Sequence, residues 1–188
     1  MESKASYTLI RSARKTLSAQ IKEGRLIVRA PLSMPESEIE RFLAKHQKWI
    51  ERNLSKAERR REAAVGARKL TSAELRALAE RAKTVIAARV AYFAPIVGVT
   101  HGKITVRLQR SRWGSCNKKG DLSFNGLLML APPSVLDAIV VHELCHRKYM
   151  DHSPRFYAEV LRVCPDYRAR HKWLKENGYL LFAAAGKD

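Results

Sequence analysis

The spacing of apolar positions changes several times along the chain. Tyr7-Thr8-Leu9-Ile10 and Arg25-Leu26-Ile27-Val28-Arg29 are short, strand-like runs, and Lys22-Glu23-Gly24 between them has turn chemistry, which predicts a hairpin. From Pro35 onward the apolar residues step by three and four, at Ile39, Phe42, Leu43, His46, Ile50 and Leu54, behind an acidic first turn. That is the period of an amphipathic helix. It runs into the charged residues 56–62, which read as a helix end or a connector. Thr71-x-x-Glu74 has the form of a capping box ahead of Leu75, Leu78, Ala82, Val85, Ile86, Val90 and Phe93, so a long helix is expected to stop around Pro95 and Gly98.

Residues 103–108 alternate as a strand does, and after the loop RWGSCNKKG the run DLSFNGLLML alternates again. Gly120-Asp121 offers turn chemistry, and the pair is expected to form an antiparallel hairpin. Pro132 and Pro133 suit the first turn of a helix whose buried stripe is Val135, Leu136, Ile139, Val140 and Leu144. No internal repeat or low-complexity segment interrupts this order.

Three of the six histidines cluster at the end of that helix: His142, His146 and His152. Residues i and i+4 share a helix face, so His142 and His146 can aim ring nitrogens at one point. Glu143 stands beside the first of them without being forced to ligate, the arrangement of a general base next to a metal-activated water. His152 cannot continue the same face, so the helix must end near Tyr149 and Met150 and the chain must turn back. Ser153-Pro154 supplies the break, an N-cap followed by proline at the first helical position, and Phe156, Tyr157, Val160 and Leu161 give the next helix its apolar side. Three protein ligands with one open position make a catalytic zinc site. Glu159 is a competing third ligand, and His152 is preferred on its spacing. Cys145 faces away from the two histidines as a core thiol, and His171 is read as a surface or packing residue.

Composition narrows the setting. The 188 residues are 46% hydrophobic and 29% charged, which suits one globular domain, residues 1–65 supplying N-terminal strands and helix and residues 71–188 the core. No apolar run approaches the roughly 20 residues of a membrane span. The first residues lack the apolar core of a secretory signal, and three cysteines without a C-x-x-C pair suit a reducing compartment, so a cytoplasmic location is expected. The formal net charge is +18, with 17 Lys+Arg against 8 Asp+Glu up to residue 70 and 19 against 10 beyond it. An excess so evenly spread is compatible with weak, nonspecific binding of polyanions.

The motif set resembles a known family. His142-Glu143-x-x-His146 with His152-Ser153-Pro154-x-Phe156, preceded by Arg112-Trp113-Gly114-Ser115-Cys116 and by Ala131-Pro132-Pro133, looks like the YgjP-like metal-dependent hydrolases, zincin-fold proteins similar to the SprT and WLM metalloproteases. VRAPLSMPESEIERFLAKHQKWIERNL and PDYRARHKWLKENGY extend the resemblance over nearly the whole chain. It implies an α+β zincin-like domain with a small mixed or antiparallel sheet packed on the HExxH helix. It also implies Zn2+ at His142, His146 and His152, and Glu143 as catalytic acid/base. Metzincins share the histidine spacing but have glycine where this chain has Tyr149. The expected activity is zinc-dependent cleavage of a peptide or protein substrate. A nucleotide phosphohydrolase and a DNA-associated SprT-like protease are the alternatives. Among further candidates for substrate contact, DLSFNGLLML is expected to be the edge strand that pairs with substrate, its polar face Ser123 and Asn125, and Asn125 is read equally as ending a hairpin or capping a neighbouring element. Arg112, with Lys118 and Lys119, is read first as solvated surface charge and second as a holder of an anion, and the phenol of Tyr149 or Tyr157 either serves an oxyanion or packs against the sheet. Trp113 and Gly114 are expected to shape the loop.

Overall fold

A computed structural model describes residues 6–22, 24–66 and 68–186. The chain divides into two compact units, Met1–Gly66 and Ala67–Asp188. The α+β class expected from the sequence is observed, with six α-helices and two small sheets among the described residues.

The first unit contains strands β1 (Tyr7–Ser12), β2 (Ser18–Lys22) and β3 (Arg25–Pro31), then helices α1 (Glu36–Lys45) and α2 (Gln47–Val65). Along β3 every second residue, Leu26, Val28 and Ala30, is buried, and these meet Ile39 of α1 and Ile50 of α2. The expected hairpin is corrected here. β1 and β3 are neighbours, but they run parallel, with Tyr7 opposite Leu26. The antiparallel partner of β3 is β2, joined to it across Gly24 at φ 73°. Glu23 of the expected turn lies outside the described residues. β2 reads SAQIK, too polar to register as a strand, yet it takes the near edge of β3 and leaves β1 the far one. The single expected helix is two, broken at His46, where φ −106° and ψ 12° leave the helical region. The charged residues 56–62 are helical, within α2.

The second unit begins with α3 (Ser72–Val97). Its capping box is formed: Thr71 Oγ1 accepts from the Glu74 amide, and the Glu74 carboxylate accepts from the Thr71 amide. Pro95 is accommodated within the last turn, and Gly98 closes the helix at φ 77°. Strands β4 (Ile104–Arg107), β5 (Gly114–Cys116) and β6 (Leu122–Asn125) form a sheet in the order β4-β6-β5. Here too the expected antiparallel hairpin is replaced by a parallel pair, Thr105 opposite Ser123, while the three-residue β5 pairs antiparallel with β6. β6 is therefore the central strand, and β5 holds an edge. The run expected to continue as a strand instead turns at Gly126 into a 3-10 helix ending at Leu130. Helices α4 (Pro133–Cys145), α5 (Pro154–Val163) and α6 (Tyr167–Ala184) complete the unit.

α4 is the centre of this unit. The predicted stripe is buried, and so are Ala138, Val141 and Cys145, so the helix is covered nearly all round. α3, α5, α6 and β5 pack about it. Arg89 of α3 binds Asp137 of α4 through two bonds of 2.7 and 3.0 Å, a paired contact that sets one helix against the other. No helix among the described residues is long and apolar enough to cross a membrane.

Candidate metal centre and active site

Helix α4 ends at Cys145, with His146 as its C-cap, and residues 147–149 tighten into a turn through bonds such as Arg147 N to the Leu144 carbonyl. The break comes a few residues sooner than expected, with the same result. Asp151 Oδ1 accepts from Ser153 N, Ser153 Oγ accepts from Phe156 N, and Pro154 opens α5. His152 is thereby returned to the face of His142 and His146. Nε2 of His142 lies 3.3 Å from Nε2 of His146 and 3.2 Å from Nε2 of His152. Each of the three offers a ligand nitrogen, all within 4.8 Å of one another. Two nitrogens bound at about 2.0–2.1 Å to one tetrahedral ion stand about 3.3 Å apart, so this donor set fits a metal.

The surroundings fix which nitrogens face inward. His146 Nδ1 lies 3.0 Å from the Tyr149 carbonyl, which can only accept, so Nδ1 carries the proton and Nε2 presents its lone pair. His142 Nδ1 lies 2.8 Å from the hydroxyl of Tyr167, a residue of α6 that is almost fully buried. Phe156 packs against all three rings, stacked on His146 at 4.5 Å and edge-to-face with His142 at 4.9 Å and His152 at 5.0 Å between centroids. Burial first, then the neighbouring imidazoles His146, His152 and His171, push His142 down to about 3, and burial also lowers His146. Both rings are neutral at physiological pH, as metal ligation requires.

Glu143 is 5% exposed, and its carboxyl lies against the backbone of Gly114 on β5. A Cβ at position 114 would stand 2.5 Å from Glu143 Oε1 and 2.7 Å from its Cγ, so only glycine leaves room for this carboxyl. Burial pushes Glu143 up to about 8. The three histidines, Glu143, Gly114 and Arg112 are among the residues that line one cleft of about 270 Å3.

Other expected site residues are distributed differently. Glu159 is engaged elsewhere, 2.7 Å from Lys148 and 2.8 Å from Arg162. Asn125 is 1% exposed, and its amide is used within the fold: Nδ2 donates to the carbonyls of Gln109 and Arg112, and Oδ1 accepts from Leu127 N. It caps the 3-10 helix and holds the loop before β5. Because β6 is paired on both sides, it has no edge to offer a substrate, and the edge strand beside the histidines is β5. Tyr149 reaches the site through its carbonyl while its ring packs on the core. Tyr157 sits beside the third histidine, ring centroids 6.1 Å apart. Lys118 and Lys119 are exposed on the loop between β5 and β6. Trp113 stacks on Phe182 at 4.5 Å and abuts Gly178, which anchors the β5 loop to α6. His171 packs against Tyr167, rings 5.5 Å apart, and Cys145 is buried as expected.

Sequence reasoning missed Tyr167, which carries no local signal 25 residues beyond His142, and missed that Gly114 makes room for the glutamate.

No curated protein sequence matches the chain significantly. Among solved structures it is similar to the metallopeptidase zymogen of Pyrococcus abyssi abylysin, at 22% identity and a TM-score of 0.44, over 50% of this chain and 94% of that one. It is also similar to the metallopeptidase zymogen of Methanocaldococcus jannaschii jannalysin, at 18% identity and a TM-score of 0.40, over 46% and 93%. The model of the YgjP-like metallopeptidase domain matches residues 15–74 and 62–177, a span that includes all three histidines and Glu143, and the chain belongs to the YgjP-like family of metallopeptidases.

Proposed function

We propose that the protein is a zinc-dependent peptidase in which His142, His146 and His152 hold the metal through Nε2 and Glu143 is the general base. The observation that carries this reading is the placing of His142 Nε2 3.3 Å from Nε2 of His146 and 3.2 Å from Nε2 of His152, with a buried carboxyl on the wall of the same cleft. Zinc held there would supply Lewis-acid activation of water and polarisation of the scissile carbonyl. Glu143 takes the proton of the attacking water and delivers it to the leaving amine. A carboxyl raised by burial towards neutral pH is a stronger base than an ordinary one, although a nearby dication offsets part of that rise. The Tyr149 carbonyl and the Tyr167 hydroxyl hold two of the imidazoles in the ligating tautomer. The outer edge of β5 is the place for an extended peptide to add as a further strand, which would bring its backbone past Glu143.

The test is an activity screen of zinc-loaded protein against peptide and nucleotide panels, repeated with Glu143→Gln. Peptides are expected to be cleaved, and the variant should keep zinc and fold while losing at least about a hundredfold in turnover. Cleavage of nucleotides with no cleavage of peptides would replace the peptidase reading.

A further inference from the structure

A second hollow lies on the sheet surface beside the metal cleft. It has a volume of about 410 Å3, and Arg112, Ser115 and Cys116 line both it and the cleft, so the two adjoin along β5. Its floor follows from strand register. Thr105 stands opposite Ser123, and Ser123 opposite Ser115, which sets three hydroxyls in a row across β4, β6 and β5. Side chains two apart on a strand share a face, and Arg107 accordingly rises beside Thr105. Arg112 lines both the hollow and the metal cleft.

The charges of this hollow are unbalanced. Asp121 is its only acidic lining residue, and its oxygens already accept from Lys103 N at 2.9 Å and from Asn117 Nδ2 at 3.0 Å. Neither Arg107 nor Arg112 is within ion-pair distance of a carboxylate among the described residues. Two guanidinium groups over a floor of hydroxyls form a receptor for a planar anion, because each guanidinium presents a fork of donors and a hydroxyl can supply another. One hydroxyl is partly engaged, as Ser123 Oγ accepts from Gln109 Nε2 at 3.4 Å.

We infer that this hollow is a carboxylate-binding subsite, and that the enzyme selects peptides bearing a carboxylate close to the scissile bond. The inference rests on the peptidase reading and deepens it by naming a substrate class. The carboxylate has two possible sources, an internal Asp or Glu side chain or the free C-terminus of the peptide, and both meet the same receptor.

Binding separates these cases without relying on turnover. Zinc-loaded Glu143→Gln protein is titrated with fluorescent peptides matched as Glu against Gln, each with a free or an amidated C-terminus. Carboxylate-bearing peptides are expected to bind about tenfold more tightly at low salt, and the preference should shrink as salt rises because both arginines are exposed. A preference that survives amidation assigns the internal side chain, and one that disappears assigns the C-terminus. Added Arg107→Glu should invert the preference towards lysine-bearing peptides, and Arg107→Gln, the milder change, should bring the Glu-to-Gln ratio towards one. Equal binding of all four peptides, no peptide binding, or a preference untouched by both substitutions overturns the subsite. So does arginine-dependent binding of ATP without any carboxylate preference. Failure of the peptidase reading would show separately, as absence of cleavage by the zinc-loaded wild type.

Discussion

The hydroxyl of Tyr167 lies 2.8 Å from Nδ1 of His142, so the first residue of α6 is bonded to the far side of the first histidine of α4. With Nε2 facing a metal, Nδ1 carries the proton and donates it to the phenol oxygen. The phenol is buried, and burial raises it above the ordinary tyrosine range, so it stays protonated. Tyr167→Phe keeps the ring that packs on His142 and His171 but removes the acceptor. The expected result is a loss of about 10- to 100-fold in zinc affinity with little change in secondary structure, read by chelator competition. Unchanged affinity would reduce Tyr167 to a packing residue.

Gly114 makes a separate prediction because it lies against Glu143, the proposed base, and its nearest neighbours include no candidate ligand. Gly114→Ala would force a methyl into the space of the Glu143 carboxyl, and displacing a reacting group by about 1 Å can cost on the order of a hundredfold in rate. Zinc content should remain that of the wild type while kcat falls. A fully active Gly114→Ala enzyme would mean that the position of Glu143 is not critical.

The metal-free protein should show the buried glutamate in its pH stability. Glu143 titrates near 8 in the fold against about 4.5 when unfolded, so between those values the folded state holds a proton that the unfolded chain has released. Its contribution is therefore present below about pH 4.5 and is lost as pH rises towards 8. His142 has the opposite sign: its folded value near 3 lies below its unfolded value near 6.5, so its contribution grows as pH rises through that interval. Subtracting the stability of Glu143→Gln isolates the first group. In urea unfolding with chelator present, the wild type should lose on the order of a few kcal/mol relative to the variant between pH 5 and 8. A difference independent of pH would contradict the burial of this carboxyl.

His152 and Glu159 should separate cleanly. His152→Ala is expected to lose most zinc affinity, whereas Glu159→Ala should keep it, because that carboxylate is bound to Arg162 and Lys148 and, through Arg162, is connected to the Ile96 carbonyl at the end of α3. Arg162 first and then Lys148 hold Glu159 down to about 2, so its contribution is full above its unfolded value and is lost as pH falls towards 2. Removing it should cost about 1 kcal/mol at neutral pH, since both cations are partly exposed, and should flatten that acid dependence. Metal loss in Glu159→Ala with retention in His152→Ala would reverse the two roles.

What local sequence determined here is what depends on neighbours in the chain. The i and i+4 spacing places His142 and His146 on one face of any helix they occupy, and Ser153-Pro154 dictates a new helix start after His152. The capping box at Thr71 and the buried stripe of α4 were legible for the same reason, as was the resemblance that these motifs carry. Strand order was not. β2 and β5 are short, and neither has an apolar alternation to announce it, yet each takes the antiparallel edge beside the strand that follows and leaves the earlier strand to pair parallel on the other side. That choice is settled by which edges the packed core leaves available, a long-range matter. It placed β5 and not β6 at the edge of the sheet, and it decided between the two readings of Asn125 in favour of the cap. Tyr167 and Gly114 belong to the same class: a phenol 25 residues from its histidine and a glycine 29 residues before its glutamate acquire their roles only when α6 and β5 pack against α4.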